Sequence, residues 1–182
     1  RMSSIAVLSS RYLFSKLENH YPALPACEGE SPRMHEFILT LSDKDFERLE
    51  KAGIPKSQAI PKVGKLFLDF GFHAPTVAFP EVFGLMIEPT ESYGIAELDR
   101  FAEAVLAIKE MIDDHPEVLR SAPHFTPIDR VDEVGANRNL CLREKLEHLP
   151  SLPFNRVKPS ILKDLSIAEI KTRILEAAQT AG

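Results

Sequence analysis

Met34-His-Glu-Phe-Ile-Leu-Thr-Leu-Ser-Asp-Lys-Asp-Phe-Glu-Arg-Leu-Glu-Lys51 changes its hydrophobic period at a single residue. Up to Leu41, the side chains Phe37, Leu39 and Leu41 alternate with Ile38 and Thr40. That is the period of a strand with one buried face. Ser42 is then spelled as an N-cap, and Asp45 is placed to close a capping box over a short helix at residues 44–51. Gly53 and Pro55 stop that helix. A strand that hands over to a helix within one residue predicts a small layered α/β or α+β domain.

Toward the N-terminus, residues 2–19 put Ile5, Leu8 and Tyr12 on one helical line with Ala6, Leu13 and Leu17 beside it. Pro22 ends this helix, and a connector rich in Pro, Gly and Ser follows at residues 25–32. The chain opens at Arg1, directly in helical pattern, which reads as a cut within a longer protein. Toward the C-terminus, Val63, Leu66, Phe67 and Phe70 mark a helix over residues 59–70, with Gly71 as its stop. Residues 71–80 are apolar but broken by proline, so they are expected to be extended and partly buried. A short strand at residues 85–87 is followed by a helix capped by Thr90 or Ser92, with the stripe Leu98, Phe101, Val105, Ile108 and Ile112 running to about Asp114. Past Pro123 the pattern is irregular until Ser166-Ile-Ala-Glu169, which spells a second capping box and starts a final helix through Ile170 and Ile174.

The 182 residues carry 22 Lys+Arg against 27 Asp+Glu, a formal charge of -5 that argues against nucleic acid as the main partner. No apolar run approaches the ~20 residues of a membrane span, and no signal-peptide pattern is visible. Cys27 and Cys141 form neither a disulfide framework nor a metal-type spacing, which fits a reducing, cytoplasmic setting.

Few residues point to chemistry by themselves. His35-Glu36 lacks the second histidine of a zinc-protease helix, because position 39 is Leu, so no metal is expected. His73 and Thr76 lie in the proline-bounded apolar loop, where a scaffold commonly displays functional groups, although a lone histidine there is usually structural. The two carboxylates of Glu88-Pro-Thr-Glu91 suit a helix start. Neither cysteine has a His/Asp arrangement around it in sequence that would make it a nucleophile. Glycine-rich phosphate loops and a Gly-x-Ser-x-Gly elbow are absent from the sequence.

Four longer runs carry more information: Arg33-Met-His-Glu-Phe-Ile-Leu39, Leu68-Asp-Phe-Gly-Phe-His-Ala-Pro-Thr76, Leu85-Met-Ile-Glu-Pro-Thr-Glu-Ser92 and Ala122-Pro-His-Phe-Thr-Pro127. Their order resembles glycine dehydrogenase (decarboxylating), the P-protein of the glycine cleavage system. Phe37 and the stretch at residues 130–143 look more like the second subunit of its two-subunit form. The resemblance covers roughly residues 1–143.

That resemblance implies the small C-terminal domain of a fold-type-I pyridoxal-phosphate enzyme, with a short, mostly antiparallel sheet and helices packed on one face. Residues 1–143 would form this domain and residues 144–182 an extension ending in a helix. The complete enzyme would release carbon dioxide from glycine and pass the aminomethyl group to the lipoyl H-protein. In that family the lysine that holds the cofactor follows a histidine, whereas none of the six histidines here precedes a lysine. The chain alone is therefore expected to bind no pyridoxal phosphate and to be inactive. Its partners would be an N-terminal cofactor domain, the first P-protein subunit and H-protein. Arg33, His35, His73 and Thr76 are the candidates for facing the substrate or the cofactor domain. The alternative is a non-catalytic module that homodimerises through its exposed apolar face.

Overall fold

A computed structural model describes residues 1–24, 34–77, 83–126, 133–140, 157 and 159–180. Its helices are α1 (Met2–Leu17), α2 (Asp43–Lys51), α3 (Lys56–Asp69), α4 (Ile95–Asp114), α5 (Val118–Ser121), α6 (Glu133–Arg138), α7 (Pro159–Asp164) and α8 (Ile167–Thr180). The strands are β1 (Ala23–Leu24), β2 (Phe37–Thr40), β3 (Thr76–Val77) and β4 (Gly84–Ile87). They form one antiparallel sheet in the order β1-β2-β4-β3. The α+β class and the antiparallel sheet are as the sequence leads one to expect.

Alternation in β2 becomes alternation in burial. Phe37 and Leu39 are buried while Ile38 and Thr40 are half-buried, and Leu85 and Ile87 of β4 join the same core. The pairing Phe37↔Ile87 and Leu39↔Leu85 puts these four side chains on one face, toward the helices. Gly84 faces Thr40 across the ladder, and a Cβ there would come within 2.5 Å of the Ile38 Cγ2. The expected capping box forms at α2: Asp45 N–H donates to Ser42 Oγ at 3.2 Å, and Ser42 N–H donates to Asp45 Oδ2 at 3.0 Å.

The centre of the helical layer is α4, which touches α1, α2, α3 and α8. Ile108, Met111 and Ile112 are fully buried along it, and the expected stripe holds except that Phe101 is only half-buried. Its start differs from expectation. Thr90 adopts φ 57°, in the left-handed region, and makes a turn in which its Oγ1 accepts from Ser92 N–H at 3.3 Å. The chain is still turning at both hydroxyl residues, so the cap falls at Gly94, whose N–H donates to Glu97 Oε2 at 3.0 Å.

The broad apolar face expected of α1 is split. Leu13 and Leu17 are buried with Ser9 and Ser10, and the line through Ile5 and Leu8 is exposed. Small serines let α1 approach the core more closely than a leucine line would. At the other end, the expected box at Ser166 forms, with Glu169 N–H donating to Ser166 Oγ at 3.2 Å. Ile170 and Ile174 of α8 are fully buried in the same core as α4. The expected boundary at residues 143 and 144, the connector at 25–32, and both cysteines lie outside the described residues.

Candidate functional site

The His73 loop begins where α3 ends, and the local sequence determines how. Phe72 N–H donates to Phe67 carbonyl oxygen at 2.9 Å and Gly71 N–H to that of Leu68 at 3.0 Å. This Schellman pair needs a left-handed residue between them, and Gly71 supplies φ 81°. The chain then leaves the helix sharply. Phe72 lays its ring edge-on against Phe101 at 5.4 Å, which seats the loop on α4. Thr76 and Val77 pair with Met86 and Leu85, so the expected extended segment becomes the edge strand β3.

Between these anchors the loop lines a cleft of about 640 Å³. That volume suits a small-molecule site. His73 and Thr76 lie on one wall, Met86 to Pro89 on another, with Tyr93 just ahead of α4 and Glu97 and Arg100 from α4 itself. Leu162 and Lys163 of α7 complete it. Two sequence runs, around residues 71–76 and 85–92, thus converge through the β3–β4 pairing.

His73 is exposed, and its Nδ1 lies 3.1 Å from the carbonyl oxygen of Ala74. A carbonyl only accepts, so neutral His73 carries its proton on Nδ1 and presents the Nε2 lone pair outward. His35 sits across from the cleft wall, with Nε2 3.8 Å from Glu88 Oε1 and both side chains about half exposed. Arg33 lies outside the described residues. Of the four residues singled out from sequence, His73 and Thr76 come together, and His35 joins them through Glu88.

Arg100 and Glu88 are the cleft groups that sequence reasoning passed over. Arg100 looked like the polar face of an amphipathic helix, yet it reaches the carbonyl oxygen of Leu162 at 2.8 Å. Glu88 looked like a helix-start carboxylate, yet it precedes the Thr90 turn and faces His35.

A family model described as glycine dehydrogenase, C-terminal domain, matches residues 2–124. The chain belongs to this family. It is 42% identical over 142 residues to the probable glycine dehydrogenase (decarboxylating) subunit 2 of Prosthecochloris aestuarii, covering 77% of this chain and 27% of the relative. The corresponding subunit 2 of Aquifex aeolicus is 40% identical over 151 residues, covering 80% and 28%. The glycine dehydrogenase (decarboxylating) of Flavobacterium johnsoniae is 43% identical over 125 residues, covering 65% of this chain and 12% of that one. The chain thus spans about a quarter of the length of the subunit 2 relatives it matches. The glycine dehydrogenase C-terminal domain match includes α1 to α5, and α6, α7 and α8 lie beyond it. Among the described residues, no helix is long and apolar enough to cross a membrane.

Proposed function

We propose that this glycine dehydrogenase domain supplies one wall of the active site of a pyridoxal-phosphate-dependent glycine decarboxylase. The whole enzyme would release carbon dioxide from glycine and transfer the aminomethyl group to a lipoyl H-protein in the bacterial cytoplasm. The observation that carries this reading is the cleft: the two most specific sequence runs meet there as facing walls through the β3–β4 pairing.

When bound, pyridoxal phosphate supplies an electron sink for the carbanion left by decarboxylation. The described residues do not fit that cofactor by themselves. The helix N-terminus on the cleft belongs to α4, and the Glu97 carboxylate already occupies it through Gly94 N–H. Gly71 sits at a helix C-terminus, the wrong pole for a phosphate. The cofactor's anchors would therefore lie on another part of the enzyme. On this chain, His73 would offer Nε2, and Thr76 its hydroxyl, to a substrate held against the cleft. The test is His73→Ala in the assembled enzyme with folding checked. Loss of glycine–bicarbonate exchange is expected, and unchanged exchange would remove His73 from the site.

A second reading rests on α1. Met2, Ile5 and Leu8 are exposed at 66%, 43% and 68%, an apolar line without cover among the described residues. A cofactor domain would cover it in the first reading, and a second copy of this chain in the alternative. Sedimentation of the chain with and without the cofactor-bearing portion of the enzyme separates them. A hetero-complex with restored exchange supports the first, and a stable homodimer without complementation supports the second.

A further inference from the structure

Asp69 is the last residue of α3 and is fully buried. A carboxylate is badly placed there: burial strips its water, and the helix C-terminus carries negative partial charge. Its donors all come from one short segment 55 residues away. His124 N–H reaches Oδ1 and Oδ2 at 2.8 and 2.9 Å, Phe125 N–H reaches Oδ1 at 2.9 Å, and His124 Nδ1 lies 2.8 Å from Oδ2. An ionised carboxylate only accepts, so His124 donates from Nδ1. In the neutral imidazole Nε2 then accepts from Ser121 Oγ, 3.1 Å away.

The same helix is fastened to this segment a second time. Lys62 Nζ donates to the carbonyl oxygens of Arg120 and Ala122 at 2.8 and 2.9 Å. Two attachments at different levels fix the direction of α3 as well as its distance. Two residues beyond Asp69, Gly71 turns the chain out toward His73 and Thr76. Apolar side chains of similar volume could hold the helix to the segment without the desolvation cost. What they would lack is the directionality of a carboxylate gripped by three donors.

We propose that Asp69 and His124 are positioning residues, fixing the last turn of α3 so that it delivers the His73 loop into the cleft. The relevance of the loop to catalysis rests on the proposed function, whereas the positioning itself is measurable on the 182-residue chain alone. Hydrogen–deuterium exchange followed by mass spectrometry compares wild type, Asp69→Asn and, as a reference for general destabilisation, Ile174→Ala. Asp69→Asn is expected to speed exchange at residues 70–77 about tenfold while residues 167–180 stay as in wild type. Unchanged exchange at 70–77, or an equal rise throughout the chain, overturns the proposal. Should Asp69→Asn not fold, His124→Gln keeps both backbone donors on Asp69 and is read in the same way. In the assembled enzyme, Asp69→Asn is expected to raise KM for glycine several-fold with a smaller change in kcat. A loosened loop with unchanged glycine kinetics would uphold the positioning and overturn the substrate-facing role of the loop.

Discussion

Arg100 donates from its guanidinium to the carbonyl oxygen of Leu162, 2.8 Å away, and so ties α4 to α7 across the mouth of the cleft. Leu162 itself is buried, and a Cβ at Gly71 would sit 3.3 Å from the Leu162 Cβ. The segment that follows the family match therefore rests on the turn that starts the His73 loop.

Arg100→Ala removes this tie and leaves a carbonyl at the last turn of α7 without that donor. A loss of about 1 kcal/mol is expected, the usual net worth of an intramolecular hydrogen bond. Limited proteolysis near Lys163 measures the local effect, and cleavage should quicken before global unfolding does.

Gly71→Ala is expected to cost more. The residue has φ 81°, where an alanine side chain is strained by about 1 kcal/mol, and the new methyl group presses on Leu162. Urea denaturation checks the sum; a midpoint equal to wild type would mean that the turn tolerates a side chain.

Gly84→Ala probes the sheet in the same way. Its Cβ would meet Ile38 Cγ2 at 2.5 Å, closer than atoms pack, so the Ile38 side chain or the strands must shift. Overpacking of this kind costs about 1–3 kcal/mol. A lowered thermal midpoint is expected.

Much of this architecture is legible in the sequence because its determinants are local. Ser42 with Asp45, Ser166 with Glu169, and Gly71 after Phe70 each act within a few residues, and each forms as read. The β2 alternation is likewise contained in one short run. Features set by distant contacts are not legible. The two-residue strands β1 and β3 have no period of their own and exist through their partners. The buried side of α1 is chosen by how Ser9 and Ser10 fit the core, although Ile5 and Leu8 are more apolar. In the site, the His73 loop is marked by its prolines and glycine, but the grip on Asp69 joins residues 55 positions apart and has no local signature.

Asp45 makes stability depend on acid. Burial pushes its carboxyl up, but the hydrogen bonds from Ser42 and Lys109 together outweigh that and hold it below the ordinary 3.8. Lys109 Nζ lies 3.0 Å from Oδ1, and Arg48 reaches the same oxygen at 3.1 Å. With the folded value depressed, the unfolded chain binds the proton more readily. This contribution is therefore present above the unfolded value and lost as pH falls through the folded one. Acid denaturation of Asp45→Asn should show a shallower loss of stability below about pH 4 than wild type.

Tyr21 gives the opposite limb. Burial, reinforced by the charges of Asp45 and Asp113, raises its hydroxyl well above the ordinary 10.0. The hydroxyl donates to the carbonyl oxygen of Val105 at 2.9 Å, which joins the end of α1 to the middle of α4. Here the folded state holds its proton more tightly than the unfolded chain. The contribution is complete below the unfolded value and declines as pH rises beyond it. Tyr21→Phe removes both the hydrogen bond and the titration. It is expected to lower stability by about 1 kcal/mol at neutral pH and to flatten the decline above about pH 10. Urea midpoints at pH 7 and at alkaline pH measure both effects, and an equal alkaline decline in the two proteins would assign it to other groups.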